Sequence, residues 1–278
     1  MKSLVVFLCA VIAYGSSAKL REVEISRFQD SKKASALGRI VSGQPANENQ
    51  FPYQCSVLSP VGAGFSVCGG SIISSGWVLT AAHCTVGYAQ HTLRFGTINL
   101  TSGGQTQTAF GAISHPGYNS VNMNNDISVI SIPTPLTFSP AIQSIRLPTN
   151  SQIGSTFLDA TAVVSGWGSI YEGSGASHTL NWVNMRIISN TACMNIFGGA
   201  IVVGHVVCAT GINSANQGHC GGDSGGPLTI LESGTSTQIG VVSFGAATGC
   251  DLPYPSGYMR TANFIHWINE KTGIAVRP

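Results

Sequence analysis

After residue 40, short runs of β-branched and apolar residues alternate with glycine, proline and asparagine at close intervals. Runs of this kind occur at 70–73, 77–80 and 160–165. Such residues favour strands, and the frequent turn residues keep each strand short. Residues 263–271 instead carry apolar side chains on a helical period. The sequence therefore predicts an all-β fold of Greek-key barrel or sandwich type with one α-helix near its C-terminus.

Residues 1–18 have the composition of a secretory signal peptide. Lys2 supplies a positive charge, residues 4–14 are apolar, and Ser16 and Ala18 are small residues at the spacing that signal peptidase uses. An apolar run of this length is too short to span a membrane, which takes about 20 residues. We therefore expect a secreted, extracellular protein with no membrane partner.

The cysteine content agrees with that compartment, because seven of the eight cysteines follow the signal peptide and would meet oxidising conditions. The simplest count is three disulfides and one free thiol. Cys55 lies in the segment 53–58, which alternates as a strand does, and we interpret it as the buried free thiol. A reactive role for this thiol is the alternative.

Charge is distributed unevenly along the chain. Residues 19–39 hold six of the 13 basic residues, whereas residues 40–278 hold six basic and eight acidic residues. The longer segment therefore has no basic surface excess of the kind that binds nucleic acid or an anionic membrane surface. We expect no nucleic-acid partner.

A candidate cleavage site follows the polar segment 19–37, where Arg39 precedes the apolar pair Ile40 and Val41. A propeptide could be removed at this point. The alternative is a flexible leader in which the arginine is incidental. The predicted organisation is a signal peptide at 1–18, a propeptide at 19–39 and one folded unit at 40–278.

Three short segments supply the residue types of nucleophilic catalysis, in the chain order His83, Asp126 and Ser224. A serine hydroxyl is a poor nucleophile at neutral pH and needs a general base. The base in turn needs a partner that fixes its tautomer and stabilises the imidazolium. These three residues therefore form a candidate catalytic triad.

With these motifs, residues 40–278 resemble the chymotrypsin and trypsin family of serine proteases. The motifs that carry the resemblance are Ile40-Val41-Ser42-Gly43, Cys68-Gly69-Gly70-Ser71, Thr80-Ala81-Ala82-His83-Cys84, Asn124-Asn125-Asp126-Ile127, Ser165-Gly166-Trp167-Gly168 and Gly221-Gly222-Asp223-Ser224-Gly225-Gly226-Pro227. The resemblance implies two packed, antiparallel six-stranded Greek-key β-barrels with a C-terminal α-helix. It places His83 and Asp126 in the first barrel and Ser224 in the second.

The resemblance also implies the reaction, which is hydrolysis of peptide bonds through an acyl-enzyme. In this scheme Ser224 is the nucleophile, His83 acts as general base and then as general acid, and Asp126 orients His83. The main-chain amides of Gly222 and Ser224 would form the oxyanion hole, where one donor contributes about 2.7 to 4 kcal/mol in enzymes of this chemistry. The implied partners are protein and peptide substrates and protein protease inhibitors, and the implied state is a monomer that needs no cofactor.

Activation is implied in the same way. A trypsin-like protease would cleave after Arg39, and the new ammonium of Ile40 would pair with the Asp223 carboxylate beside the nucleophile. Before cleavage Asp223 would have no partner, so the oxyanion loop would not be formed. We therefore expect an inactive precursor.

Specificity would be set by a pocket whose floor is Gly218, six residues before Ser224. An uncharged floor gives no reason to select lysine or arginine, which an aspartate there would favour. The other implied pocket residues are His219, Ser243, Phe244, Gly245 and Ser256. We expect a chymotrypsin-like preference for apolar or aromatic side chains. Elastase-like or broad collagenolytic specificity is the alternative, because His219 and Ser256 depart from the family pattern.

The resemblance implies three disulfides, Cys68–Cys84, Cys193–Cys208 and Cys220–Cys250, which leave Cys55 free. Residues 93–110 contain no aspartate or glutamate, so we expect no calcium site in this loop. Asn99 begins an N-glycosylation sequon in an expected loop.

Two broader interpretations accompany this assignment. The scarcity of lysine and arginine after Ile40 leaves few sites for a trypsin-like activator, which suits a digestive fluid; chance composition is the alternative. The absence of further cysteines and the segment Thr272-Gly273-Ile274 resemble invertebrate digestive chymotrypsin-like and collagenolytic enzymes. A homologue without catalysis, acting as a binding or regulatory protein, is the competing class. The presence of His83, Asp126, Ser224 and Gly222 argues against it.

Overall fold

The computed structural model describes residues 43–213 and 216–278. The predicted signal peptide, propeptide, Arg39 and Ile40 lie outside these residues. The strands of the described part are β1 (Gln44–Pro45), β2 (Gln54–Val61), β3 (Gly64–Ser74), β4 (Trp77–Thr80), β5 (His91–Phe95), β6 (Gln105–Ala109), β7 (Ala112–Ser114), β8 (Ser128–Ser131), β9 (Thr161–Gly166), β10 (Asn181–Ile188), β11 (Val206–Gly211), β12 (Pro227–Glu232), β13 (Thr235–Phe244) and β14 (Ser256–Arg260), and its α-helices are α1 (Asn190–Phe197) and α2 (Ile265–Thr272).

The first barrel consists of β2 to β8 in the antiparallel order β6-β5-β2-β3-β4-β8-β7. Only Phe110 and Gly111 separate β6 from β7, so these two are halves of one bent strand. The first half pairs with β5 and the second half pairs with β8, which closes the ring. Counted in this way, the barrel has the six strands that the resemblance implied.

The second barrel is a ring in the order β9-β10-β11-β14-β13-β12, closed by antiparallel pairing of β12 with β9. β1 is an additional strand that pairs with the start of β10, with Gln44 opposite Trp182 and Pro45 opposite Asn181. The described part of the chain therefore starts on the second barrel before it enters the first.

Tight turns connect neighbouring strands where the sequence supplies residues that tolerate a positive φ. β12 and β13 are joined by Ser233 and Gly234, whose φ angles are 49° and 78°. Two consecutive residues in this conformation make the hairpin turn whose twist matches that of the flanking strands. Such turns explain how many short strands fit into a compact chain.

The C-terminal helix is confirmed. A 3-10 helix over Thr261–Phe264 leads into α2. The first two residues of the predicted helix, 263 and 264, therefore lie in the 3-10 helix and the rest lie in α2. The sequence interpretation missed α1, which Ser189 caps by accepting a hydrogen bond from the Ala192 main-chain N–H at 3.1 Å. A disulfide from Cys193 to Cys208 fixes this short helix to β11.

Two apolar clusters fill the barrels. One lies inside the second barrel around Val164, Met185 and Leu228. The other fills the first barrel and continues across the contact between the barrels to Phe244 and to Ile268 of α2. Side chains of both barrels therefore contribute to this second cluster, which fixes the relative position of the barrels.

The cysteine predictions are confirmed in the described residues. The three disulfides are Cys68–Cys84, Cys193–Cys208 and Cys220–Cys250. Cys55 is free and fully buried, and burial raises the pKa of its thiol, so it has the properties of an unreactive core residue. Within residues 43–213 and 216–278 no helix has the length and apolar character needed to cross a membrane.

Candidate active site

His83 and Asp126 form a hydrogen-bonded pair where the barrels meet. His83 lies in a 3-10 helix after β4, and Asp126 lies two residues before β8. His83 Nδ1 and Asp126 Oδ2 are 2.7 Å apart, and the His83 main-chain N–H donates to Asp126 Oδ1 at 2.8 Å. The carboxylate is fully buried, whereas 14% of the His83 side chain is exposed. Asp126 thus fixes the ring orientation and leaves Nε2 available to a second group.

A third hydrogen bond reaches Asp126 from the second barrel. The Ser243 hydroxyl, on β13, donates to Asp126 Oδ2 at 2.7 Å. The sequence interpretation placed Ser243 in a segment that forms the pocket wall and pairs with the substrate backbone, and it missed the contact of the buried side chain with the Asp126 carboxylate. No local signal could have shown this contact, because the two residues are 117 positions apart.

The loop that carries Ser224 packs directly against the segment that carries His83. The Gly69 main-chain N–H donates to the Ser224 carbonyl oxygen at 2.7 Å, and the Gly69 carbonyl accepts from the Thr80 hydroxyl at 2.8 Å. The Cys68–Cys84 disulfide joins the residues next to Gly69 and His83. These contacts bring the three candidate triad residues to one place, although they come from different barrels.

The backbone beside Ser224 is shaped as an anion site. Gly222 has a φ angle of 98°, which a residue with a side chain adopts only with strain. Among the described residues, neither the Gly222 N–H nor the Ser224 N–H donates to another protein group. Two unused donors next to a serine hydroxyl are suited to bind an oxygen that becomes negatively charged.

The Asp223 carboxylate is completely buried behind this loop. Oδ1 accepts from the Gly168 N–H at 2.7 Å, and Oδ2 accepts from the Cys220 N–H at 2.9 Å. A methyl group at Gly166 or Gly168 would overlap the carboxylate, so these glycines make room for it. In the described part of the chain no basic side chain forms an ion pair with Asp223, and burial raises its pKa to about 7.

A pocket opens beside the Ser224 loop. Gly218, His219, Gly245 and Ser256 line it, as the sequence interpretation implied. Its further lining residues, which that interpretation missed, are Gln217, Ala246, Gly249, Cys250, Leu252, Tyr254 and Pro255. Phe244 does not line the pocket, because its ring is buried over Gly257 and against Phe197.

His219 forms part of the pocket wall but is almost completely buried. Its ring stands edge-on to Tyr258, with ring centroids 5.4 Å apart. Burial lowers the pKa of His219 to about 4. The pocket wall is therefore uncharged at neutral pH.

We expect the buried His219 to make the protein less stable in acid. Its pKa in the folded protein lies below the ordinary 6.5, so the unfolded chain binds the proton more readily. The free energy of unfolding should therefore fall as the pH decreases from 6.5 towards 4, by about 2 kcal/mol between pH 7 and pH 4.5 from this residue. Urea unfolding at pH 7 and pH 4.5, in a Ser224→Ala background that prevents autolysis, measures this change in the free energy of unfolding.

The matched control for this effect is an exposed histidine. His219→Gln should lose less stability between the two pH values than the parent, whereas His178→Gln should lose as much as the parent, because His178 is exposed. Equal losses in the His219→Gln variant and its parent would contradict the assignment.

Comparisons with known proteins agree with this geometry. Residues 40–268 match the family model described as Trypsin. Serine protease 1 of Drosophila melanogaster is 36% identical over 240 residues, which cover 86% of this chain and 87% of that protein. Brachyurin of Leptuca pugilator is 35% identical over 239 residues, which cover 84% of this chain and 99% of that protein. Collagenase of Hypoderma lineatum is 32% identical over 275 residues, which cover 99% of each protein.

The fold has a close match among solved structures. HL collagenase superimposes with a TM-score of 0.78 and 32% identity, and the match covers 85% of this chain and 100% of that chain. The two docked barrels and the C-terminal helix are thus the chymotrypsin-like fold. The chain belongs to the trypsin family and is a serine endopeptidase.

Proposed function

We propose that this endopeptidase cleaves peptide bonds through an acyl-enzyme on Ser224. The observation that carries the proposal is the buried Asp126 carboxylate bound to His83 Nδ1, which orients Nε2 towards a proton donor. His83 Nε2 takes the Ser224 proton as Oγ attacks the substrate carbonyl carbon, and it then gives that proton to the departing amine. Water then attacks the acyl carbon while His83 Nε2 takes its proton, and return of that proton to Ser224 Oγ releases the carboxylic acid.

The unused N–H groups of Gly222 and Ser224 would receive the substrate oxygen as it becomes negative. They are main-chain groups held by the surrounding fold, so little reorganisation is needed when the charge develops. This preorganisation is the largest stabilising contribution in many enzymes of this type.

We propose that the enzyme is made as an inactive precursor and is switched on by cleavage after Arg39, carried out by a trypsin-like protease. The support is the Asp223 carboxylate, which is buried without a cation in the described residues. A buried charge with no partner is costly, so the native active state needs a cation here. The ammonium of Ile40, released by cleavage, would be that cation.

The pairing of β1 with β10 holds Gln44 close enough to Asp223 for an ammonium at Ile40 to reach that carboxylate. Gln44 lies four positions after Ile40, and four chain steps span at most about 14 Å. Pro45 pairs with Asn181 and Asn181 pairs with Gly166, so two strand spacings, about 10 Å, separate Pro45 from the strand that faces Asp223.

The comparisons support the same boundary. The family match begins at residue 40, and the solved collagenase chain is covered over its whole length by 85% of this chain. We accordingly propose a signal peptide at 1–18, a propeptide at 19–39 and a secreted, monomeric enzyme, restrained by protein inhibitors and active in the digestive tract.

For specificity, we propose a chymotrypsin-like preference for apolar or aromatic side chains. Gly218 places no charge at the pocket floor, and neutral His219 adds none to the wall. A methyl group built on Gly218 would lie 3.3 Å from the Ser256 hydroxyl, so this hydroxyl stands beside the floor and narrows it.

A broader, collagenolytic specificity is the second candidate. It is favoured by the Ser256 hydroxyl, which offers a polar contact inside an otherwise uncharged pocket, and by the similarity to proteins named brachyurin and collagenase. A peptide library that varies the residue before the scissile bond distinguishes the two. Cleavage confined to sites after lysine or arginine would contradict both.

We expect Gly218→Asp to redirect the enzyme towards basic side chains. A close charge pair contributes at least about 1.5 kcal/mol, so kcat/KM for an arginine substrate should rise about tenfold or more. The position can accept a side chain, because the nearest atom to a new methyl is the Ser256 hydroxyl and the next is Met185 Cε at 3.9 Å. Gly218→Asn is the matched uncharged control and should show no such gain.

A further inference from the structure

We propose that His205 is a positioning residue that holds the catalytic aspartate through the preceding peptide group. His205 Nε2 accepts a hydrogen bond from the Asn125 main-chain N–H at 3.3 Å. Asn125 directly precedes Asp126 in the first barrel, whereas His205 directly precedes β11 in the second. This inference rests on the proposed role of Asp126.

Asn125 is held on its other sides as well. It has a φ angle of 55°, a left-handed conformation that costs energy unless the surroundings support it. Its side-chain amide donates to the Gly117 carbonyl at 2.8 Å, and its own carbonyl accepts from the Ile127 N–H at 2.8 Å. The hydrogen bond to His205 completes this support, and it is the one of the three that comes from the opposite barrel.

The surroundings of His205 keep it able to accept this hydrogen bond. Its ring is half-buried and stands edge-on to Phe264, with centroids 5.6 Å apart. Burial and the nearby His115 lower the pKa of His205, so the ring stays neutral at neutral pH and Nε2 keeps its lone pair.

Three basic groups lie near His205. The Arg260 guanidinium, from β14, donates to the main-chain carbonyls of Gly204 and Val206 on either side of His205. His115 packs on the same Phe264 ring, and burial, followed by the charge of Lys271 in α2, lowers the pKa of His115. Of these basic groups, His115 adds to the effect of burial in lowering the pKa of His205.

Asp126 is therefore held from the second barrel at two points. Ser243 binds its carboxylate, and His205 binds the amide of the residue before it. Since His83 takes its orientation from Asp126, loss of the His205 contact should misplace the base relative to Ser224. Substrate binding uses a different part of the cleft, so the loss should appear in kcat and not in KM.

Two substitutions at His205 separate hydrogen bonding from packing. His205→Phe keeps an aromatic ring beside Phe264 but removes the acceptor, whereas His205→Gln removes the ring but places an amide oxygen near the position of Nε2. We expect kcat to fall about tenfold in the Phe variant, with KM within about twofold of the parent, because the partly buried Asn125 N–H loses its partner. The Gln variant should recover most of this loss.

The pH profile and a proton resonance supply readouts that a purely structural role would not move. In the parent, kcat should fall more steeply in acid than in His205→Gln, since protonation removes the Nε2 acceptor only in the parent. The low-field resonance of the His83 Nδ1 proton should broaden or move upfield in His205→Phe. Where His205→Phe does not fold, the pH profile of His205→Gln decides the question alone.

An unchanged kcat in His205→Phe, or parallel pH profiles of the parent and His205→Gln, would overturn the proposal. Asp126→Asn separates this outcome from a failure of the proposed function. If Asp126 is catalytic, that variant loses about 10⁴-fold in kcat and adding His205→Phe to it costs little more. If Asp126→Asn is fully active, the proposed function itself is wrong.

Discussion

Replacing Ser224 with alanine is expected to lower kcat for a peptide amide about 10⁶-fold, the scale of loss seen when the nucleophile of another serine protease is removed. The methyl side chain cannot form the acyl-enzyme, so His83 and Asp126 have no hydroxyl to activate. Some rate above that of water should remain, because the N–H groups of Gly222 and position 224 are unchanged. The measurement is hydrolysis of a peptide substrate by protein already cleaved after Arg39.

Ser102→Ala is the matched control, since Ser102 is exposed and distant from the site in sequence, and this variant should keep full activity. An active-site phosphonate should label the parent on Ser224 and leave the Ser224→Ala variant unlabelled. Undiminished peptide hydrolysis by Ser224→Ala would show that another group performs the chemistry. Absence of both activity and labelling in the cleaved parent would instead favour a binding protein that has lost catalysis.

Blocking the activation cleavage is expected to have the second largest effect. Arg39→Gln should leave a folded protein whose kcat/KM is lower by at least about 10²- to 10³-fold, the cost of losing one oxyanion donor. Asp223 would then lack its cation, so its buried charge would disfavour the loop conformation that aims Gly222 at the substrate. The assay compares the variant and the parent after the same treatment with trypsin.

Arg27→Gln provides the control, because it removes another arginine of the 19–39 segment and should leave activation intact. Sequencing of the trypsin-treated parent should give a new terminus at Ile40. Full activity of the uncleaved Arg39→Gln protein would refute the switch while leaving the role of Ser224 untouched.

Much of this fold and site could be predicted from residue types close together in the chain. The runs of β-branched residues indicated strands, and β4 has the predicted bounds. The flanking residues of His83, Asp126 and Ser224 identified a family, and that family supplied the barrels and the disulfides. These features depend on local sequence or on a shared ancestor, so one sequence is enough to find them.

Other features depend on contacts between distant positions. Ser243 meets Asp126 across 117 residues and His205 meets Asn125 across 80, and neither pair has a local pattern. Leu252 and Tyr254 line the pocket because their loop folds back beside the Cys220–Cys250 disulfide. Such contacts follow from the docking of the two barrels, which periodicity and spacing do not specify.

The pairing of β1 with β10 also determines how the proposed switch depends on enzyme concentration. Because Gln44 and Pro45 are fixed on the second barrel, a terminus created at Ile40 stays tethered by a few residues. A group on so short a tether meets its site at an effective concentration of about millimolar or higher. Insertion of the ammonium would then be unimolecular, so its extent would be independent of enzyme concentration and dilution of the cleaved enzyme would not reverse it.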